Sequence, residues 1–317
     1  MNNPDPQAGL AFVFPGQGSQ TPGLLAELAA DQPLVEQTFQ EASQGAGVDL
    51  WQIADAGGDE RLNQTEFTQP VLLAAGVAVW RLWQQRGGAL PALLAGHSLG
   101  EYSALVAAGA LNLADAARLV RERGRLMQAA VPAGTGAMAA VIGAEDELVA
   151  EVCSQASDED IVVPANFNSP GQVVIGGHAA ALERALALLA ERGVRRAVKL
   201  PVSVPSHTPL MRQAAGQLAQ VMADLDWQAP SIPVIHNVDA ARHAEPAAIQ
   251  DALVRQLYLP VRWTDCIQAL VAGGSQRIAE CGPGKVLTGL VKRTYKSLDV
   301  RAIGTPADFQ AALDDWS

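Results

Sequence analysis

The stretch that most limits how this chain can fold is Leu93-Leu94-Ala95-Gly96-His97-Ser98-Leu99-Gly100-Glu101-Tyr102. Its apolar start reads as a buried strand, and the residues after Gly100 read as a helix. A chain that passes from strand to helix across Gly-x-Ser-x-Gly must turn sharply, which is the setting of a nucleophile elbow. The two glycines leave room for the bend and for a substrate to approach. The backbone N–H of Leu99 would face the negative charge of a tetrahedral intermediate, beside the positive end of the helix dipole. The alternative is a turn that merely contains serine. The strand before it and the helix after it favour the elbow.

An α/β chain of this kind needs a large core. With 317 residues, 49% hydrophobic and only 17% charged, this one can build a large domain and a second, smaller unit. Aromatic residues are 5% of the total, which argues against an all-β sandwich or an aromatic-lined nucleic-acid surface. A net charge of −11 disfavours non-specific binding to nucleic acid or anionic lipid. The first nine residues carry no basic group and no long apolar core, so they do not read as a secretory signal. No apolar run is long enough to span a bilayer. Cys153, Cys266 and Cys281 are far apart and lack metal-ligand spacing, as expected of ordinary thiols in a reducing, cytoplasmic setting.

Residues 10–14 form an apolar strand that enters the loop Pro15-Gly16-Gln17-Gly18-Ser19-Gln20. Helical patterns follow at 24–30, 33–40, 70–84 (with Pro70 in the first turn) and 111–130. The rhythm then changes to strand 137–142, helix 146–156, strands 161–166 and 172–175, helix 180–192 and strand 195–204. That β-α-β-β-α-β order is the split βαβ pattern of a ferredoxin-like unit. It predicts a small domain over 134–204, inserted into a larger one made of 1–133 and 205–317. The larger one resumes with a helix after Pro209 and strands at 234–238 and 276–280.

A serine nucleophile needs a base. His97 adjoins Ser98, and alternation sends its side chain elsewhere. His178 sits at a corner after Gly176-Gly177, and His243 in a polar loop. His236 lies on an apolar strand and competes, although a satisfied core histidine is the commoner fate of such a residue. His207 fits best, at the end of a strand in Pro205-Ser206-His207-Thr208-Pro209, where Thr208 can cap the next helix and Pro209 can open it.

On the helix from Leu111, the inward stripe runs through Ala116, Val120, Arg123 and Met127, while Arg118, Arg121 and Arg125 fall off its centre. An arginine on an apolar face needs an anionic partner or hydrogen-bonded carbonyls, because an unpaired buried charge is very costly. The partner is either an internal Asp or Glu, or a substrate carboxylate held bidentately. The glycine-rich pieces at 16–21 and 282–286 lack the full dinucleotide and P-loop patterns. The first starts where a strand ends, so Gln17 can offer a second backbone N–H beside Ser98.

Phe14-Pro15-Gly16-Gln17-Gly18-Ser19-Gln20, Gly96-His97-Ser98-Leu99-Gly100-Glu101-Tyr102, Arg123-Gly124-Arg125-Leu126-Met127-Gln128, Gln172-Val173-Val174-Ile175-Gly176-Gly177, Pro205-Ser206-His207 and Gly282-Pro283-Gly284-Lys285-Val286-Leu287 occur in that order. Together, over about residues 10–293, they resemble the discrete bacterial malonyl-CoA:acyl carrier protein transacylase family. The resemblance implies an α/β-hydrolase-like large domain with a ferredoxin-like insertion. It implies Ser98 as acylated nucleophile, His207 as base, Arg123 holding the malonyl carboxylate, and Gln17 and Leu99 N–H groups as oxyanion hole. Gln256 falls where the family orients the base with a main-chain carbonyl.

The implied activity is ping-pong malonyl transfer from malonyl-CoA to the phosphopantetheine thiol of acyl carrier protein, in fatty acid or polyketide synthesis. No permanent cofactor or metal is implied, and a monomer is expected. Carrier docking by an acidic chain requires local basicity, for which Lys285, Lys292, Arg293 and Lys296 form one candidate and Arg192, Arg195, Arg196 and Lys199 another. Solvated charges are the plain alternative. The rivals are a serine hydrolase of esters or thioesters, a stand-alone polyketide acyltransferase of different acyl preference, and an inactive carrier-binding module.

Overall fold

The computed structural model describes residues 7–132, 134–202 and 204–317. Residues 1–6, and with them most of the N-terminal segment discussed above, lie outside the described residues, as do 133 and 203. Among the described residues, nine strands form two sheets: β1 (Gln7–Phe14), β2 (Pro91–Gly96), β3 (Gly136–Ile142), β4 (Val162–Ser169), β5 (Gln172–His178), β6 (Arg196–Lys199), β7 (Val234–Ile235), β8 (Arg277–Glu280) and β9 (Asp299–Ala302). The first sheet has the order β7-β2-β1-β8-β9 and its pairings are all parallel. The second has the order β4-β5-β3-β6 and is antiparallel throughout.

A parallel sheet is covered on both faces, so its central strands carry near-continuous apolar runs. Leu10, Phe12 and Phe14 of β1 join the core on one face, and Ala11 and Val13 join the core on the other. On the first face Phe12 meets Trp80 and Trp83 edge-on, with ring centroids 5.6 and 5.2 Å apart. Both tryptophans belong to the helix Thr65–Gln85. On the second face the helix Trp263–Ala272 contributes Trp263, Ile267 and Leu270. The antiparallel sheet has its own core, built with the helices Asp146–Ala156 and Ala179–Glu191 from residues such as Val141, Val152, Ile175 and Leu182.

Several sequence expectations need correction. The strand expected over 195–204 ends at Lys199, because Pro201 has no N–H to give to the ladder. The strand expected over 234–238 stops at Ile235, where His236 N–H turns aside to the Ala241 carbonyl at 2.9 Å. Pro70 does not open its helix, which starts five residues earlier at Thr65 and carries the proline inside it. Thr208 does not cap the next helix, since its hydroxyl donates instead to the Pro205 carbonyl at 2.7 Å. A 3-10 turn over Pro209–Met211 then leads into the helix Arg212–Ala223. β9 and the C-terminal helix Pro306–Trp316 have no counterpart among the sequence expectations. Among the described residues, no helix is long and apolar enough to cross a membrane. The three cysteines are free and buried.

Candidate active site

Three neighbouring parallel strands, β7, β2 and β1, end at the same edge of the sheet, where open α/β sheets place their sites. Asn237 follows β7, His97 and Ser98 follow β2, and the Gln17 loop follows β1. The turn after β2 is tight. Ser98 has φ +51°, a left-handed conformation that costs a non-glycine residue about 1–3 kcal/mol. A β-carbon on Gly100 would lie 2.0 Å from the Phe14 carbonyl oxygen, so only glycine lets the new helix start against β1. The strained turn is held from beneath: Ser98 N–H donates to Asn237 Oδ1 at 2.7 Å, and Asn237 Nδ2 donates to the Gly96 carbonyl at 2.7 Å.

Ser98 Oγ lies 2.7 Å from His207 Nε2. The other ring nitrogen, Nδ1, lies 2.7 Å from the main-chain carbonyl oxygen of Gln256. A carbonyl only accepts, so Nδ1 carries the proton and Nε2 presents a lone pair to the serine hydroxyl. His207 also has a left-handed backbone, with φ +62°, and its N–H is held by the Leu257 carbonyl at 3.0 Å. It is 3% exposed. Burial, joined by the nearby Arg123 charge, pushes its pKa down to about 3, so the ring is neutral at physiological pH.

Arg123 is 1% exposed and stands where the helical stripe placed it, on the inner face of the helix Leu113–Ala129. Gly124 makes this approach feasible, since a β-carbon there would lie 2.5 Å from the Thr65 carbonyl oxygen. The guanidinium donates through Nη1 to Gln69 Oε1 at 2.7 Å and through Nη2 to Gln256 Oε1 at 3.0 Å. Nη2 also reaches Ser98 Oγ at 3.4 Å. Among the described residues, no carboxylate contacts it and its Nε–H has no partner. The internal acid that the sequence left open as its partner is therefore not in contact. Arg118, Arg121 and Arg125 instead pair with Asp115, Glu66 and Glu122.

The remaining histidines have other partners. His97 Nε2 bonds to Asn168 Oδ1 at 2.8 Å, and burial lowers its pKa. His178 Nδ1 accepts the Ile161 N–H, and His243 meets Asp239. His236 is fully buried against Glu101, with Nδ1 2.8 Å from Oε1, and makes no contact with Ser98. Leu99 is buried at the start of the helix Gly100–Ala107, while Gln17 is exposed in its loop. Among the described residues, neither backbone N–H has an acceptor.

Sequence reasoning missed Gln69, Asn237, Glu101 and the side chain of Gln256. Their only mark in the sequence is polarity inside apolar segments, as in Pro-Val-Ile-His-Asn-Val and Gly-Glu-Tyr-Ser-Ala-Leu-Val. Among the described residues, no cluster of three or more His, Cys, Asp or Glu side chains could hold a metal ion. The arrangement provides an alcohol, a neutral imidazole beside it and a buried cation.

The acyl transferase domain model matches residues 11–309. The chain is 56% identical to the malonyl CoA-acyl carrier protein transacylase of Salmonella typhimurium, over 96% of this chain and 98% of that one. A crystal structure of malonyl-CoA:acyl carrier protein transacylase from Xanthomonas oryzae pv. oryzae is 67% identical and superposes with a TM-score of 0.97, covering 98% of this chain and 99% of that one. A malonyl-transacylase solved in complex with its type II PKS acyl-carrier protein is 51% identical, with a TM-score of 0.95 and coverage of 97% and 100%.

Proposed function

The chain belongs to the acyl transferase domain family, and from that premise we propose that it moves a malonyl group from malonyl-CoA to acyl carrier protein through an ester on Ser98. The observation that carries this reading is the meeting of Ser98, His207 and Arg123, with Ser98 Oγ 2.7 Å from the imidazole and 3.4 Å from the guanidinium. We read the parallel sheet and its serine turn as α/β-hydrolase-like and the antiparallel sheet as a ferredoxin-like insertion.

In the first half-reaction, His207 Nε2 takes the Ser98 proton as Oγ attacks the malonyl thioester carbonyl. The imidazolium keeps its Nδ1–H on the Gln256 carbonyl. The Leu99 and Gln17 N–H groups receive the oxyanion; one such donor is worth about 3 kcal/mol of barrier. The C–S bond then breaks, and His207 returns the proton to the departing coenzyme A sulfur. In the second half, His207 takes the proton of the carrier's phosphopantetheine thiol. The sulfur attacks the ester and Ser98 recovers its proton.

Arg123 selects the acyl group. Its spare donors suit the free carboxylate of malonyl, whereas an acetyl group leaves the buried cation without an anion. A serine hydrolase of the usual kind would orient its histidine with an Asp or Glu. Here the acceptor at Nδ1 is a neutral carbonyl. We place the reaction in fatty acid or polyketide chain building, where a carrier protein takes up the malonyl unit.

Intact mass spectrometry after mixing with malonyl-CoA, acetyl-CoA or methylmalonyl-CoA tests the reading. One malonyl adduct, lost on adding carrier protein and absent from Ser98→Ala, is expected. Rapid release of free malonate without carrier protein would instead make the chain a hydrolase.

A further inference from the structure

A fully buried acid, Glu101, lies directly behind the nucleophile turn, and the transfer steps above make no use of it. It occupies the first turn of the helix Gly100–Ala107, among apolar neighbours such as Ala104 and Leu105. Burying a carboxylate is costly unless its oxygens are hydrogen-bonded. Here Oε2 accepts the Asn237 backbone N–H and the Gln256 Nε2–H, both at 2.9 Å. Oε1 lies 2.8 Å from His236 Nδ1.

Both amide residues it holds reach the reacting groups. Asn237 fixes the strained turn through Ser98 N–H and the Gly96 carbonyl. Gln256 does more. Its carbonyl orients His207, its Nε2 also donates to the Ser98 carbonyl at 3.0 Å, and its Oε1 accepts Arg123 Nη2. A side-chain amide can sit either way round, and only its partners decide which. A carboxylate accepts and cannot donate. Glu101, together with the Ser98 carbonyl, therefore holds Nε2 of Gln256 inward and Oε1 outward, toward the guanidinium. It also keeps a negative charge one amide away from Arg123, near enough to counter the burial that pulls that guanidinium's pKa down. Its oxygens leave the guanidinium's own donors free.

We infer that Glu101 is a positioning residue for acyl selection: it sets the orientation of the Gln256 amide, and through it the pose in which Arg123 meets the substrate carboxylate. This rests on the role assigned above to Arg123. The conservative replacement Glu101→Gln can preserve the arrangement. Its Oε1 can take over the two acceptor contacts if its amide nitrogen faces His236 Nδ1. His236 must then move its proton to Nε2, an atom that has no partner among the described residues, so either tautomer is open to it.

The measurement is the ratio of malonyl to acetyl transfer, as kcat/KM, for the wild type, Glu101→Gln, Glu101→Leu and Glu101→Asp. A ratio does not depend on how much of a variant is folded, so it separates positioning from simple stability. Glu101→Gln should keep the ratio within about threefold of the wild type, whereas Glu101→Leu should lower it at least tenfold. Glu101→Asp keeps the charge but is one methylene too short to span Gln256 and His236. It should fall below Glu101→Gln, and it serves if the leucine variant does not fold. An unchanged ratio in the leucine or aspartate variant, or a loss in Glu101→Gln as large as in those two, would overturn the inference. Absence of any malonyl preference in the wild type would instead remove the role of Arg123 on which it rests.

Discussion

Arg123 comes within 3.4 Å of Ser98 Oγ, yet the acceptors it holds are the neutral amide oxygens of Gln69 and Gln256. A buried guanidinium bound only to neutral acceptors remains a strong site for an anion. Replacing it should therefore change which acyl group is accepted. Arg123→Ala should lower kcat/KM for malonyl transfer by about two orders of magnitude, the worth of a charge-assisted hydrogen-bonded pair of about 2–3 kcal/mol. Acetyl transfer should stay level or improve. Arg123→Lys should fall between the two, because an ammonium cannot form the paired contacts of the planar fork. Steady-state kinetics with both thioesters reads the outcome, and an unchanged malonyl preference in Arg123→Ala would refute the assignment.

The same cation acts on the base. Burial first, and the Arg123 charge second, lower the His207 pKa from 6.5 to about 3. In the proposed mechanism the neutral ring is the working form, so activity should be lost only when pH falls through the folded-state pKa. Acylation by acetyl-CoA should be level from about pH 8 to pH 5 and decline only below that. Arg123→Ala removes a positive neighbour and eases the burial, so its acid limb should move to higher pH. The lowered pKa also has a linkage consequence. The unfolded histidine takes a proton below about pH 6.5 while the folded one does not, so stability should drop as pH falls from there toward 3. Rapid-quench acylation and thermal melts across pH measure the two effects.

The parts of this site that a linear reading reaches are those with a periodic or local signature. Ser98 is marked by its glycines, Arg123 by a charge on an apolar helical stripe, and the small sheet by its alternation of strand and helix lengths. His207 stands out in sequence at the end of a strand expected to run to residue 204, although β6 ends at Lys199. Gln256 and Asn237 carry no such mark. They lie 158 and 139 positions from Ser98, and the hydrogen bonds that define them exist only once three strand ends converge. The helix start at Thr65 was hidden by Pro70, because a proline inside a helix looks, in sequence, like one at its beginning.

Carrier docking can be separated from chemistry. Arg195 and Arg196 lie on the exposed edge next to and within β6, and among the described residues neither has a carboxylate partner. Arg192 and Lys199 nearby are already paired with Glu151 and Glu183. The double change Arg195→Glu and Arg196→Glu should slow transfer to an acidic carrier protein roughly tenfold at low salt, and the deficit should shrink as salt rises. Self-acylation by malonyl-CoA should be unaffected. If both half-reactions are unaffected, the docking face moves to the other candidate, Lys285, Lys292, Arg293 and Lys296, which is also exposed.

The N–H proposed as oxyanion donor from the β1 loop can be tested by a substitution that suits the loop. Ser19 N–H donates to the Gly16 carbonyl at 3.3 Å, and Gly18 has φ +105°. Gln17 is thus the second residue of a four-residue turn whose third residue is a left-handed glycine, a place where proline is favoured. Gln17→Pro should fold, because the ring matches the turn, but it has no N–H to offer. Gln17→Ala keeps the N–H and loses only the side chain, whose contact is a 3.3 Å bond to Thr65 Oγ1. The proline variant should acylate about a hundredfold more slowly, the usual cost of one oxyanion donor. The alanine variant should stay within a few-fold of the wild type. Single-turnover acylation, with circular dichroism to establish equal folding, distinguishes them. Equal rates in the two variants would take the Gln17 N–H out of the mechanism and leave Leu99, at the head of the helix, as the donor to the developing charge.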